Sequence, residues 1–165
     1  MALLVQTIKQ EVPTLNKNNI SLHVSGNIEM LPLSARRELE EAGEATKNNT
    51  GLNLIMALSY SSRWEIINAV QEIAEKVQKG ELDPEQSTNK VFEESLCTAA
   101  FPDPELMIRT SGEYRISNFL LYQLAYRELY FTDTLWPDFR KENLYEAIFD
   151  YQNREQRFGQ IREQL

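Results

Sequence analysis

The chain has 165 residues, 42% of them hydrophobic, enough for one globular domain with a sizeable core. Its 17 basic against 25 acidic residues leave a net charge of −8. That sign disfavours nucleic acid or an anionic membrane face as a partner, so positive charge must be gathered locally if phosphate is bound. The single cysteine, Cys97, excludes an intrachain disulfide, fits a reducing compartment and is expected as a small buried apolar residue. No apolar run approaches a membrane span and the N-terminus lacks a signal-peptide pattern, so a cytoplasmic location is expected.

Met1 to Lys17 carries Leu3, Leu4, Val5 and Ile8 in an uncapped helical pattern interrupted by Pro13, and a helix beginning at the first residue suggests a cut chain. Ile20, Leu22 and Val24 alternate with Ser21, His23 and Ser25, a strand ending at Gly26 in which His23 points with the polar set. Pro32 to about Lys47 is an acidic amphipathic helix with Leu33 and Leu39 among its few anchors. After the turn Asn48-Asn49-Thr50-Gly51, Leu52 to Ser59 is a largely apolar strand of the buried kind. Ser62-Arg63-Trp64-Glu65 has the form of a capping box. It opens a helix from Arg63 to about Lys79 with Ile66, Ile67, Val70, Ile73 and Val77 inward, ended by Gly80. Glu81 to Asn89 is a polar connection, and Val91 to Leu96 a short helix before Pro102 and Pro104.

Glu105 to Glu128 organises the rest. Leu106 to Ile108 is a short buried strand; Arg109 to Arg115 is a loop turning at Gly112; Ser117 is placed to cap a helix from Asn118 to about Arg127. In an open α/β sheet ligands collect beyond the carboxyl ends of strands, and two arginines with a serine at a helix start there suit a diphosphate. The competing reading pairs Arg109 and Arg115 with Glu113 and Glu105 on the surface. Leu129 to Thr132 is a fourth strand, Leu135 to Phe139 an aromatic turn, and Lys141 to about Gln156 a last helix bearing Leu144, Ile148 and Tyr151, with Arg154, Arg157 and Arg162 near its end. Strands alternating with helices give an α/β fold, a mostly parallel sheet with helices on both faces, and four strands are few for a complete one.

The run Arg109-Thr-Ser-Gly-Glu-Tyr-Arg-Ile-Ser-Asn-Phe-Leu-Leu-Tyr-Gln123, followed by Ala125-Tyr-Arg-Glu128 and Trp136-Pro-Asp-Phe139, resembles the C-terminal signature of the cis-prenyltransferases, most closely their bacterial undecaprenyl diphosphate synthase branch. Asn49-Thr50-Gly51-Leu52 and Leu58 to Ile66 are similar to the family's middle block, with Ser59-Tyr60-Ser61-Ser62-Arg63 where the family usually has Asn-Tyr-Gly-Gly-Arg. The family's first block, His-Met-Asp-Gly-Asn-Gly-Arg-Trp, and the following Phe-Ser-x-Glu-Asn-Trp have no match. The chain is thus expected to be a single domain, residues 1 to 165, equivalent to the C-terminal two-thirds of the family fold.

The resemblance implies that Arg109, Arg115 and Ser117 hold the diphosphate of isopentenyl diphosphate, with Glu113 fixing one of the arginines. Glu128 resembles an acidic residue tied to Mg²⁺, Tyr114 stands where relatives commonly have histidine, and Arg157 resembles a further phosphate-side arginine, the alternative being a solvated charge at the helix end. A straight helix from Ser117 would rise about 1.5 Å per residue and put Glu128 roughly 16 Å away, so Glu128 either returns by a bend or serves a second subunit of a homodimer. The implied reaction condenses isopentenyl diphosphate onto an allylic diphosphate such as farnesyl diphosphate, giving a long cis-polyprenyl diphosphate for cell-wall carrier lipid, with peripheral contact between that product and a membrane. Without the aspartate block, the chain is expected to bind the acceptor and not turn over. The alternative is a short non-catalytic subunit that completes a partner's site.

Overall fold

The computed structural model describes residues 2–154, which fall in two compact units divided between Ala100 and Phe101. Within the first, α1 (Ala2–Lys17), β1 (Ile20–Ser25), α2 (Leu33–Thr46), β2 (Leu52–Ala57), α3 (Ser62–Gln78) and α4 (Asn89–Glu94) follow in order. Pro13 lies inside α1 and does not end it; it forgoes one intrahelical hydrogen bond while its neighbours continue the helix. β1 and β2 pair in parallel, Ile20 opposite Leu52 through Ser25 opposite Ala57.

Ile8 of α1, Leu22 of β1, Leu31, and Ala35, Leu39 and Ala42 of α2 form the core of this unit. Leu33, expected as an anchor of α2, is exposed, because the helix turns its alanines and Leu39 inward. Two side chains tie the end of α2 and the following turn to β1: Thr46 Oγ1 accepts the Leu22 N–H at 3.0 Å, and Asn49 Nδ2 donates to the Ile20 carbonyl at 2.7 Å. They occupy backbone groups that another chain could otherwise pair with.

β2 departs from the buried strand expected. Leu52, Leu54 and Ile55 are exposed, since β2 pairs only with β1 among the described strands and its apolar side chains lack a covering layer. Similarly Ile67 and Val70 of α3 are exposed, and the stripe that packs is Ser62, Glu65 and Ala69. α3 ends at Gly80 as expected: with φ +72, Gly80 lets its own N–H reach Val77 O and that of Glu81 reach Lys76 O. α4 starts two residues earlier than expected because Thr88 caps it, accepting from Val91 N.

In the second unit β3 (Leu106–Arg109) and β4 (Glu128–Phe131) pair in parallel, and α5 (Lys141–Gln152) packs on β4. All four strands exist near their expected places. The helix expected over Asn118 to Arg127 does not form. Ser117, Leu120 and Tyr126 have φ of 56°, 48° and 61°, and a left-handed residue every few positions breaks the helical ladder, leaving a series of turns around buried Gln123 and Leu124. The aromatic turn is a short 3-10 segment in which Trp136 stacks on Phe139, ring centroids 6.1 Å apart. The last helix ends at Gln152, short of the end expected near Gln156, because Asn153 closes it with its N–H on the Phe149 and Asp150 carbonyls. Arg157 lies outside the described residues.

Candidate functional site

At the carboxyl end of β3 the backbone is stitched to the segment after β4. Thr132 N donates to Arg109 O at 2.9 Å, Gly112 N to Thr132 O at 3.0 Å and Ser111 N to Thr134 O at 2.9 Å. Ser111 and Gly112 are both left-handed, φ 72° and 66°, and a Cβ on Gly112 would lie 3.0 Å from Asp133 Oδ1, so only glycine fits the second position without adjustment. This rigid turn fixes where Arg109, Glu113, Tyr114 and Arg115 emerge.

Arg109 Nε is buried and makes no hydrogen bond, a donor left over by the fold. It borders a cleft of about 290 Å³ walled by Thr110, Ser111, Ile116 and Phe119, so polar and apolar groups meet in one place. Arg115 is exposed and forms an ion pair with Glu113 at 2.5 Å. The surface-pairing alternative therefore holds for Arg115. For Arg109 it fails, because Glu105 accepts from Tyr151 OH at 3.1 Å instead. Tyr114, 73% exposed, tilts its ring against Phe131, the β4 partner of Arg109, with centroids 5.4 Å apart. Ser117 is exposed and left-handed and caps no helix, so any contribution to an anion comes from its hydroxyl alone.

Glu128 is not brought to this place. It opens β4 opposite Leu106, three register steps from the Arg109 and Phe131 pair, which is about 10 Å along a strand. The helical rise expected between Ser117 and Glu128 does not apply, because there is no helix. Glu128 Oε2 instead accepts from Arg154 Nη1 at 2.7 Å, and Arg154 also donates to Leu129 O at 2.9 Å and to Asp150. The bond to Glu128 is the main reason the guanidinium holds its proton more tightly than usual. Arg154 escaped the sequence reading except as one of a terminal cluster; its spacing of four from Asp150 on α5 was the available signal.

A second polar cluster, in the first unit, was also missed. Ser61, not Ser62, caps α3, its Oγ accepting from Trp64 N at 3.5 Å. The expected capping glutamate turns inward: Glu65, 1% exposed, accepts from Tyr60 OH at 2.5 Å and from Cys97 Sγ at 2.9 Å. Cys97 Sγ also meets Ser25 Oγ at 3.0 Å. Cys97 is thus exposed and hydrogen-bonded, contrary to the buried apolar role expected, because the sulfur faces a carboxylate that needs donors. Burial and the Glu65 carboxylate push its thiol up to about 11, and burial with the same carboxylate raises the Tyr60 phenol above its ordinary range. His23 stays with the polar face of β1, its Nε2 2.9 Å from Ser21 Oγ and 3.2 Å from Asn53 Oδ1.

A family model described as "Putative undecaprenyl diphosphate synthase" matches residues 1–159. The chain belongs to this prenyltransferase family. It is 50% identical over its whole length to an isoprenyl transferase of Chlorobaculum tepidum, and 44% identical to a ditrans,polycis-undecaprenyl-diphosphate synthase, (2E,6E)-farnesyl-diphosphate specific, of Coxiella burnetii. It spans 62% of the length of the first relative and 70% of the second. The crystal structure of lavandulyl diphosphate synthase from Lavandula x intermedia, in complex with dimethylallyl diphosphate, is similar with a TM-score of 0.93 and 34% identity over 97% of this chain and 70% of that one. The α/β fold with parallel strands is therefore that of the cis-prenyltransferases. No helix among the described residues is long and apolar enough to cross a membrane.

Proposed function

We propose that these residues form the acceptor half of a cis-prenyltransferase that condenses isopentenyl diphosphate onto an allylic diphosphate, farnesyl diphosphate, to give a long-chain polyprenyl diphosphate. The observation that carries this reading is the buried, unbonded Nε of Arg109 beside a cleft with an apolar wall. A diphosphate oxygen would satisfy that donor with a charge-assisted hydrogen bond, and the isopentenyl tail would lie against Ile116 and Phe119. Arg115 supplies a second cation, which Glu113 holds in place, and the Ser117 hydroxyl a further donor. These groups bind and orient the acceptor. The allylic partner requires the aspartate block that the sequence does not contain, so these 165 residues alone bind and do not turn over.

Mg²⁺ is implied by the resemblance. The described residues do not fit it: no group of three or more His, Cys, Asp or Glu side chains is gathered, and Glu128 is committed to Arg154. A homodimer is supported by aromatic surface in the second unit, where Tyr126 is 92% and Trp136 72% exposed and Tyr145 and Phe149 of α5 are also uncovered.

Calorimetric titration of the chain with isopentenyl diphosphate, without metal, tests the reading. Saturable binding is expected, and Arg109→Ala should weaken it by roughly tenfold to a hundredfold, the worth of one hydrogen bond to a charged group. Equal binding by the variant would remove Arg109 from the site, and no binding by the wild type would overturn the reading for this chain.

A further inference from the structure

Ser111 is held in a left-handed backbone, φ 72°, without being glycine. A side chain disfavours that region and glycine does not, so the backbone alone would be better served by a residue with no hydroxyl. Nor does the hydroxyl help the fold, because it makes no hydrogen bond to any other described residue. The structural work at this position is done by the Ser111 N–H, which donates to Thr134 O at 2.9 Å, beside the Gly112 N–H on Thr132 O at 3.0 Å. Successive backbone N–H groups at a turn can cradle an anion, but here both are occupied. The serine hydroxyl is the donor that remains.

It remains in a particular place. Ser111 is exposed and walls the same cleft of about 290 Å³ as Arg109, whose buried Nε also lacks a partner. Backbone strain that the fold does not need, carried by a polar side chain at a cleft, is the mark of a group kept for a ligand. We propose that Ser111 Oγ donates to the acceptor diphosphate alongside Arg109, an assignment that rests on reading this cleft as the acceptor site. Ser111 then takes the role of hydroxyl donor at the β3 turn, where its backbone is fixed on both sides by the bonds to Thr134 and Thr132.

The 165-residue chain and its variants are titrated calorimetrically with inorganic diphosphate and with isopentenyl diphosphate, without metal, and unfolded in urea. Ser111→Gly should raise the urea midpoint while binding both ligands about tenfold more weakly, the worth of one hydrogen bond to a charged group. Ser111→Ala lacks the hydroxyl but keeps the backbone constraint, so it should lose the same affinity without the gain in midpoint. Weaker binding together with greater stability is not what removal of a structural side chain produces. Ser111→Gly binding as tightly as wild type would overturn the proposal. So would a loss confined to isopentenyl diphosphate, which would put Ser111 against the tail, or a loss that Ser111→Ala does not share, which would trace to a loosened turn. Where wild type binds both ligands and Arg109→Ala alone loses them, the acceptor reading stands and the role of Ser111 falls; where wild type binds neither, both fall.

Discussion

The carboxyl ends of the strands differ between the two units. Beyond β1 and β2, the ionisable group is a carboxylate, and the chain supplies its donors: Tyr60 and Cys97 on Glu65, with Ser25 on the sulfur. Beyond β3, the ionisable group is an arginine, and its buried Nε is given nothing. Both places lie where open α/β sheets collect ligands. A polar group that the fold completes by itself holds the fold; one that the fold buries and leaves incomplete is set for something that arrives.

Glu65→Ala against Arg109→Ala puts the contrast to its hardest test. The first removes the shared acceptor of two donors and should cost about 3 kcal/mol in urea unfolding. The second removes a donor that is already unpaired and should change stability by no more than about 0.5 kcal/mol, while abolishing most acceptor binding. An Arg109→Ala loss of stability comparable to that of Glu65→Ala would mean that Arg109 is a structural group, and the contrast would collapse.

How far the sequence carried these distinctions varied with the physics behind each signal. The strands were legible because each is a short apolar or alternating run bounded by Gly, Pro or Asn. The Arg109 loop was legible because its glycine and two arginines are contiguous. The segment from Asn118 to Arg127 was not, since its apolar spacing suits a helix while left-handed Leu120 and Tyr126, with Ser117 just before it, unwind it. The Glu65 cluster joins positions 25, 60, 65 and 97, which only the parallel pairing of β1 with β2 and the return of the chain after α4 bring together. Its helix pattern was even misleading: serine three residues before glutamate matches a capping box, but the cap is one residue earlier and the glutamate is inside. Arg154 and Glu128 are likewise joined only once α5 lies on β4.

Gly112→Ala should have an intermediate effect on the incomplete end. A left-handed alanine at φ +66° costs about 1 kcal/mol, and its Cβ must displace the tip of the Asp133 side chain. The turn that aims Arg109 and Arg115 would loosen, so affinity for isopentenyl diphosphate should fall several-fold with only a modest loss in urea midpoint. Unchanged affinity would show that the arginines do not need the turn.

The smallest effect belongs to the complete end and appears only at high pH. The Cys97 thiol is raised from 9.0 to about 11 in the folded chain, so folding favours its protonated form. Its contribution is fully present below pH 9 and is lost as pH rises toward 11, when a thiolate would face the Glu65 carboxylate. Tyr60, raised from 10.0, acts in the same direction but begins to lose its contribution only above pH 10. Urea stability of the wild type should therefore start to fall near pH 9. In Cys97→Ser, whose hydroxyl keeps a donor on Glu65 and does not ionise in this range, the fall should start about one pH unit later. The difference is small because exposed Cys97 is screened by water. Superimposable pH profiles would separate the thiol from the carboxylate and leave Tyr60 as the donor that completes this end of the sheet.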